Sequence, residues 1–143
     1  MKIVRKGSAA WSGGLKDGKG AISTESGALT SKVYGFGMRF GDEKGTNPEE
    51  LIGAAHAGCF TMALSKILGE AGFTASQMDT EAKVTLEEAD GGFAITSIAL
   101  SIKAKIPNID EAKFTELAGM AKAGCPVSKL FKAEITLDAQ LVV

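Results

Sequence analysis

Apolar and polar residues alternate with two different periods along this chain, and the change of period separates strand-like from helix-like stretches. From Ile3 to about Met38, short β-type stretches are broken by glycines. The turn-forming residues at 13–18 predict a hairpin, and the segment after it predicts a third strand that ends at Arg39. The N-terminal third is therefore predicted to be a sheet.

A long central helix follows this sheet in the pattern. Asn47 occupies a predicted N-cap position, Pro48 the first helical position and Glu50 the third. Between residues 51 and 68 only Lys66 carries a full charge, so apolar or small side chains occupy every face. The run approaches the length of a membrane span, but its many glycines and alanines, its histidine and its lysine favour a helix enclosed by protein.

A second hairpin is predicted after the central helix. Residues 82–87 alternate between apolar and polar or charged side chains, and the residues at 90–92 form a turn. The apolar positions change parity near Ser97, which predicts a β-bulge there because a sheet face repeats every two residues.

Two helices and a last strand complete the pattern. Asn108 and Glu111 have the spacing of a capping box for a helix that Gly124 ends. Pro126 opens a further short helix, with Cys125 at or next to its N-cap. Residues 133–143 then alternate as a strand with one buried face.

The order of these elements is typical of an α+β protein rather than of alternating βαβ units. At 143 residues the chain has the commonest length of one domain, so we predict a single domain over 1–143. No basic block stands out among 16 basic and 17 acidic residues, which argues against nucleic acid and membranes as partners. The first residues lack the apolar run of a signal peptide, so we expect a cytoplasmic protein.

Cys59 is one of only two cysteines, and in a reducing compartment such a pair is either inert or redox-active. It lies about three turns inside an apolar helix, where a cysteine most often packs as a small hydrophobic residue and where burial raises its pKa. A reactive thiol at this position needs a nearby cation, and an arginine suits best because it stays protonated. Arg39 is a better candidate than Arg5, and Glu49 or Glu50 could hold its guanidinium, although both also suit a helix start.

Two alternatives stay open at this point. A thiol at the N-cap of the helix that Pro126 opens is expected to have a depressed pKa, so Cys125 could be the nucleophile instead of Cys59. His56, three residues before Cys59, could act as a base or as half of a metal site. As the only histidine, it cannot complete a histidine-rich metal site, and a packed, hydrogen-bonded side chain is its more common role.

The residues Thr46 to Phe60, TNPEELIGAAHAGCF, together with the sequence CPVS at 125–128, resemble the family of osmotically inducible protein C and the organic hydroperoxide resistance proteins. The resemblance covers essentially the whole chain. It implies a thiol-dependent peroxidase that reduces organic hydroperoxides, and less well hydrogen peroxide, in defence against oxidative and osmotic stress. By motif, Cys59 is the attacking cysteine, Cys125 the resolving cysteine that forms a disulfide with it, Glu49 the carboxylate and Arg39 its arginine.

The resemblance also implies an antiparallel sheet wrapped around a long central helix in an intertwined homodimer. It implies no metal or other cofactor, because an external dithiol or lipoyl-type reductant restores both thiols by exchange. The alternative is a non-catalytic carrier of a small or lipid-like ligand, with both cysteines as passive core residues. One equivalent of hydroperoxide separates the two, since it removes both free thiols only in the peroxidase.

Overall fold

Six strands and four helices follow one another in the α+β order that the sequence predicts, in a computed structural model that describes all 143 residues. The strands are β1 (Gly7–Ser12), β2 (Lys19–Thr24), β3 (Lys32–Tyr34), β4 (Gln77–Ala89), β5 (Gly92–Lys105) and β6 (Glu134–Leu141). The helices are α1 (Phe36–Phe40), α2 (Pro48–Glu70), α3 (Glu111–Gly124) and α4 (Pro126–Leu130). The chain divides into two compact units, Met1–Leu51 and Ile52–Val143. A single domain over 1–143 stays a prediction.

The first unit holds a three-stranded antiparallel sheet in the order β1-β2-β3, which confirms the N-terminal hairpin. The third strand, however, ends at Tyr34, and the prediction that it continues to Arg39 was wrong. Residues Phe36–Phe40 form the short helix α1, in which the rings of Phe36 and Phe40 lie 5.0 Å apart between centroids. Residues four apart meet on one side of a helix, so this ring contact fits the helical turn.

The second unit holds a sheet in the order β4-β5-β6. β4 and β5 form a hairpin whose two turn residues, Asp90 and Gly91, have φ angles of 50° and 82°, as a tight Asp-Gly turn requires. Thr85 pairs with Ser97 but Leu86 pairs with Ile95, so one residue of β5 has no partner. This irregularity confirms the predicted bulge near Ser97.

The last strand departs from the antiparallel arrangement that the resemblance implies, because β6 runs parallel to β5. A parallel pair needs a crossover connection, and α3 and α4 supply it between the two strands. Inward-facing residues of β5, α2 and α3 then form one core under the sheet. Its most deeply buried large side chains are Phe60, Leu64, Leu68, Leu100, Ile102 and Phe114.

Side-chain caps mark the starts of α2, which contains Cys59, and of α3, which ends just before Cys125. Asn47 Oδ1 accepts a hydrogen bond from the Glu50 N–H at 2.8 Å, which confirms the predicted start of α2. The predicted cap of α3 was wrong, because Asp110 and not Asn108 accepts the Lys113 N–H, at 2.7 Å. Asn108 instead adopts a positive φ of 70°, a turn conformation that asparagine tolerates.

By length and composition α2 could cross a membrane, with a mean hydropathy of 1.4. The core helix of a soluble protein has the same properties. Phe60, Leu64 and Leu68 of α2 are fully or almost fully buried against the rest of the second unit, so α2 is the core helix of this fold.

Candidate active site

Two thiols meet in the second unit. Cys59 lies in the middle of α2, and Cys125 is both the C-cap of α3 and the N-cap of α4. Their sulfur atoms are 2.9 Å apart, and both cysteines are free thiols. Cys125 is fully buried, whereas Cys59 is partly exposed. A small movement of either side chain brings the sulfurs to the roughly 2.05 Å of a disulfide bond.

The surroundings of Cys59 favour its protonated form. Burial raises the pKa of the Cys59 thiol, and the hydrogen bond with Cys125 raises it further. The backbone N–H of Val127 opposes this by donating a hydrogen bond to the sulfur. A positive charge beyond these neighbours would therefore be needed to favour the Cys59 thiolate.

For the Cys125 thiol, burial and the neighbouring groups act on the pKa in opposite directions, and the neighbouring groups prevail. Burial alone raises the pKa of its thiol, but interactions with the Cys59 side chain, with Ser128 and with the backbone of Val127 outweigh burial and lower the pKa. Within this pair, Cys125 is the more acidic thiol.

An arginine and a carboxylate form the second pair of predicted residues, in the first unit. Arg39 on α1 donates from Nε at 3.1 Å and from Nη2 at 2.8 Å, and both bonds go to Oε1 of Glu49. The Glu49 side chain is only 12% exposed and the Arg39 side chain 37%, so the carboxylate is partly shielded from water. Asn47 Nδ2 also bonds the Met38 carbonyl, which fixes α1 to the start of α2.

The other arginine and the other glutamate make no such pair. Arg5 reaches only the adjacent Val4 carbonyl, at 3.4 Å on the surface, and Glu50 is exposed without an ion pair. The structure thus brings the predicted residues together as Cys59 with Cys125 and Arg39 with Glu49. Their catalytic roles stay predictions.

Each pair borders a cavity. Beside Cys59, a mainly apolar cavity of about 520 Å³ is lined by Met62, Ala63, Ile67 and Pro126, among others. Beside Arg39, a smaller cavity of about 180 Å³ has aromatic walls, formed by Trp11, Tyr34, Phe36 and Phe40. An apolar cavity of the first size accommodates a small organic molecule.

His56 makes no hydrogen bond to either cysteine sulfur. Its ring is fully buried, its Nε2 lies 2.7 Å from Ser128 Oγ, and the edge of the ring meets Phe131. Burial lowers the pKa of His56, so the ring is neutral near pH 7. No three His, Cys, Asp or Glu side chains cluster to hold a metal ion.

Ser128 is the functional candidate that the sequence did not indicate by itself. It follows Cys125 and Pro126 in the CPVS sequence, its hydroxyl lies 2.7 Å from His56 Nε2, and its proximity helps to lower the pKa of Cys125. The only signals in the sequence were that short motif and a single histidine on an apolar helix.

Comparison with known proteins agrees with the fold and with the cysteine motifs. The family model described as OsmC-like protein matches residues 41–140. Peroxiredoxin OsmC of Escherichia coli K12 is 60% identical over 141 residues, which are 99% of each chain.

Solved structures lead to the same family. The crystal structure of the organic hydroperoxide resistance protein OhrB of Bacillus subtilis has a TM-score of 0.70 and 27% identity, over 98% of each chain. An OsmC-like protein from Mycoplasma pneumoniae shares the fold over the full length of both chains, with a TM-score of 0.77 at 15% identity. The implied resemblance and the α+β fold are thereby confirmed, and this chain belongs to the OsmC family.

Proposed function

We propose that this chain is a thiol-dependent peroxidase that reduces organic hydroperoxides to alcohols through Cys59 and Cys125. The observation that carries the proposal is the contact of two free thiols at 2.9 Å beside an apolar cavity of about 520 Å³. The relatives named as a peroxiredoxin and as an organic hydroperoxide resistance protein support the same chemistry.

In the proposed reaction the Cys59 thiolate attacks the terminal oxygen of the hydroperoxide. A sulfur–oxygen bond forms, the oxygen–oxygen bond breaks, and the alkoxide takes up a proton and leaves as the alcohol. Cys59 is then a sulfenic acid, which Cys125 converts to a disulfide before further oxidation. An external dithiol or lipoyl-type reductant returns both thiols by exchange, so no metal or prosthetic group takes part.

Arg39 is proposed to supply the positive charge that the Cys59 thiolate needs. Such a charge opposes the effect of burial on the pKa of Cys59 and stabilises the negative charge on the departing oxygen. Glu49 holds the guanidinium through Nε and Nη2, which leaves Nη1 to donate elsewhere. Arginine suits this role because its planar group donates in several directions at once.

A homodimer is proposed as the working form. All six residues of β1 are exposed, and α2 presents an exposed strip of small and apolar residues formed by Ala54, Ala55, Gly58 and Met62. Exposed edge strands and apolar helix faces of this kind favour association, and a second copy of the chain is the occupant that the family implies. We expect this dimer to act as a soluble protein in the cytoplasm.

The carrier alternative is not favoured by the site. Two cysteines that only pack in the core do not require a sulfur–sulfur distance of 2.9 Å or neighbours that lower the pKa of one thiol. A carrier also gives no reason for the likeness to a peroxiredoxin over 99% of the chain.

The test is hydroperoxide consumption by the wild type, Cys59→Ser and Cys125→Ser, each with a dithiol reductant. Cys59→Ser should lose all consumption, whereas Cys125→Ser should still consume one equivalent in the first turnover. The reverse pattern makes Cys125 the nucleophile. Full activity in both variants refutes the peroxidase.

A further inference from the structure

A second contact between the same two segments lies one helical turn away from the thiols. His56 precedes Cys59 by three residues on α2. Ser128 follows Cys125 by three residues, in the first turn of α4. Nε2 of His56 lies 2.7 Å from Ser128 Oγ, and the two sulfur atoms are 2.9 Å apart. Residues three apart in a helix share one side, so the two segments meet side by side at two points.

The contact between His56 and Ser128 is buried. His56 is fully buried and Ser128 is only 8% exposed. Nδ1 of the ring has no hydrogen-bond partner, so Ser128 is the single hydrogen-bond partner of this side chain. The edge of the ring also meets Phe131, the residue that ends α4, at 5.5 Å between centroids. One side chain of α2 therefore contacts two residues of the segment that begins at Cys125.

The position of the Cys125 side chain depends on where α4 lies. Cys125 has extended backbone angles, φ −60° and ψ 128°, between the end of α3 and the start of α4. Its carbonyl accepts a hydrogen bond from the Lys129 N–H at 3.1 Å, so Cys125 and Ser128 belong to one hydrogen-bonded turn. α4 has only five residues, and a helix this short depends on its packing for stability. A bond that holds Ser128 on α2 therefore also holds Cys125 near α2.

The contact between the sulfur atoms, in contrast, is lost during the proposed reaction. The Cys125 thiol donates its hydrogen to the Cys59 sulfur, and this bond disappears when Cys125 becomes a thiolate. The same contact also changes when Cys59 takes up an oxygen atom from the peroxide. The contact between His56 and Ser128 contains no reacting group, so neither step alters its chemistry.

We propose that His56 and Ser128 form a clamp that keeps residues 125–131 against α2 while Cys59 is oxidised. The clamp gives Cys125 a high effective concentration towards the Cys59 sulfenic acid, because a group held within reach reacts far faster than a free one. His56 and Ser128 are positioning residues in this role, since both act through Cys125.

The inference rests on the proposed peroxidase function and concerns its second step. The Cys125 thiolate attacks the sulfur of the Cys59 sulfenic acid, so that a sulfur–sulfur bond forms and the sulfur–oxygen bond breaks. The hydroxide that leaves takes up the proton that Cys125 gave up, and water is released. The Cys125 sulfur is oxidised and the Cys59 sulfur is reduced to the same level. The clamp acts on this step alone, so peroxide attack does not depend on it.

A single turnover separates the two steps. Reduced enzyme receives one equivalent of tert-butyl hydroperoxide, and quenched samples are examined for peroxide loss and, by mass spectrometry, for disulfide. Ser128→Ala should leave the rate of peroxide loss within about twofold of the wild type and slow disulfide formation roughly fivefold to tenfold, the effect of one hydrogen bond. Unchanged disulfide formation overturns the clamp, and so does an equal slowing of both steps.

Matched variants distinguish positioning from a general loss of stability. Thr80→Val removes a side-chain hydrogen bond of the same 2.7 Å length, which joins β4 to Thr61 of α2, and should form the disulfide at the wild-type rate even where urea unfolds it more easily. His56→Gln keeps a polar group for Ser128, whereas His56→Leu removes it. Only His56→Leu should slow disulfide formation. Equal rates in these two variants, or a Thr80→Val rate as low as that of Ser128→Ala, refute the positioning role.

A thiol–disulfide equilibrium keeps the clamp testable even if the peroxidase proposal fails. The chain is equilibrated with mixtures of oxidised and reduced dithiothreitol, which exchange one disulfide for another without any peroxide. The mixture at which half of the chains carry the disulfide between Cys59 and Cys125 reports the effective concentration of the two thiols. Ser128→Ala should lower this concentration roughly fivefold to tenfold, and Thr80→Val should leave it unchanged. An unchanged value in Ser128→Ala, or a wild type that forms no disulfide, overturns the clamp, whereas a wild type that consumes no peroxide overturns only the proposed function.

Discussion

Replacement of Arg39 by lysine tests the proposed source of positive charge at the attacking thiol. The guanidinium holds Glu49 with two nitrogens, at 3.1 and 2.8 Å, and lysine has a single nitrogen for the same carboxylate. A lysine that stays on Glu49 has no second planar donor to offer to another group. The substitution keeps the charge but loses the geometry that the proposal requires.

The expected magnitude follows from the lost hydrogen bond. A hydrogen bond to a charged group contributes about 1.5–3 kcal/mol, and the lower value applies because the Arg39 side chain is 37% exposed. A loss of about 1.4 kcal/mol corresponds to a tenfold slower reaction. Arg39→Lys should therefore reduce the rate constant of the first turnover with an organic hydroperoxide by about tenfold or more.

Stopped-flow measurement of that first turnover, with the Cys125→Ser background to remove disulfide formation, gives the rate constant directly. Glu49→Gln should also slow the reaction, because a neutral amide holds the guanidinium less firmly. The neighbouring Glu50→Gln is the matched control, since Glu50 is exposed and makes no ion pair. A rate for Arg39→Lys within twofold of the wild type, or an equal effect at Glu50, refutes the reasoning.

Three other predictions test the site and the fold. Cys125→Ser, exposed to excess hydroperoxide, should accumulate the sulfinic acid of Cys59, detected by mass spectrometry, because nothing traps the sulfenic acid; a persistently reduced Cys59 would contradict this. Burial lowers the pKa of His56 below the ordinary 6.5, so this histidine binds a proton more strongly in the unfolded chain than in the folded one. The free energy of unfolding should therefore fall as the pH drops below about 6.5. Urea titrations should show a smaller fall in His56→Gln, and an identical pH dependence would argue against a buried neutral ring. Asp110→Ala should cost about 1 kcal/mol of stability and Asn108→Ala less, because only Asp110 caps α3; equal losses would disprove that assignment.

Local patterns accounted for much of the fold. The cap at Asn47, the Asp90-Gly91 turn and the bulge near Ser97 each depend on neighbouring residues only, and all three are present in the structure. The third strand was overextended because positions 36, 38 and 40 share one side in a strand, while positions 36 and 40 also share one side in a helix. A short apolar run of this kind does not distinguish the two periods.

The spacing of apolar and polar residues did not predict several features of the structure. The parallel pairing of β6 with β5 depends on how the crossover through α3 and α4 packs, which no local spacing records. The cap of α3 was misplaced by two residues because asparagine and aspartate both suit a helix start. The meeting of Cys59 with Cys125 was expected only through the family resemblance.

The pKa values of the two thiols also divide into one that depends on neighbouring residues and one that depends on distant residues. Cys125 is acidified by neighbours within its own segment, Val127 and Ser128, so a short motif carries most of what this thiol needs. Cys59 is partly buried in a helix that offers its thiolate little stabilisation, and its proposed reactivity requires a charge elsewhere in the chain or in a second copy. In the proposed mechanism the two half-reactions therefore depend on different residues, because attack on the peroxide requires Arg39 and Glu49 whereas disulfide formation requires Cys125. Arg39→Lys should therefore slow peroxide attack in a single turnover and leave the rate constant of disulfide formation unaltered.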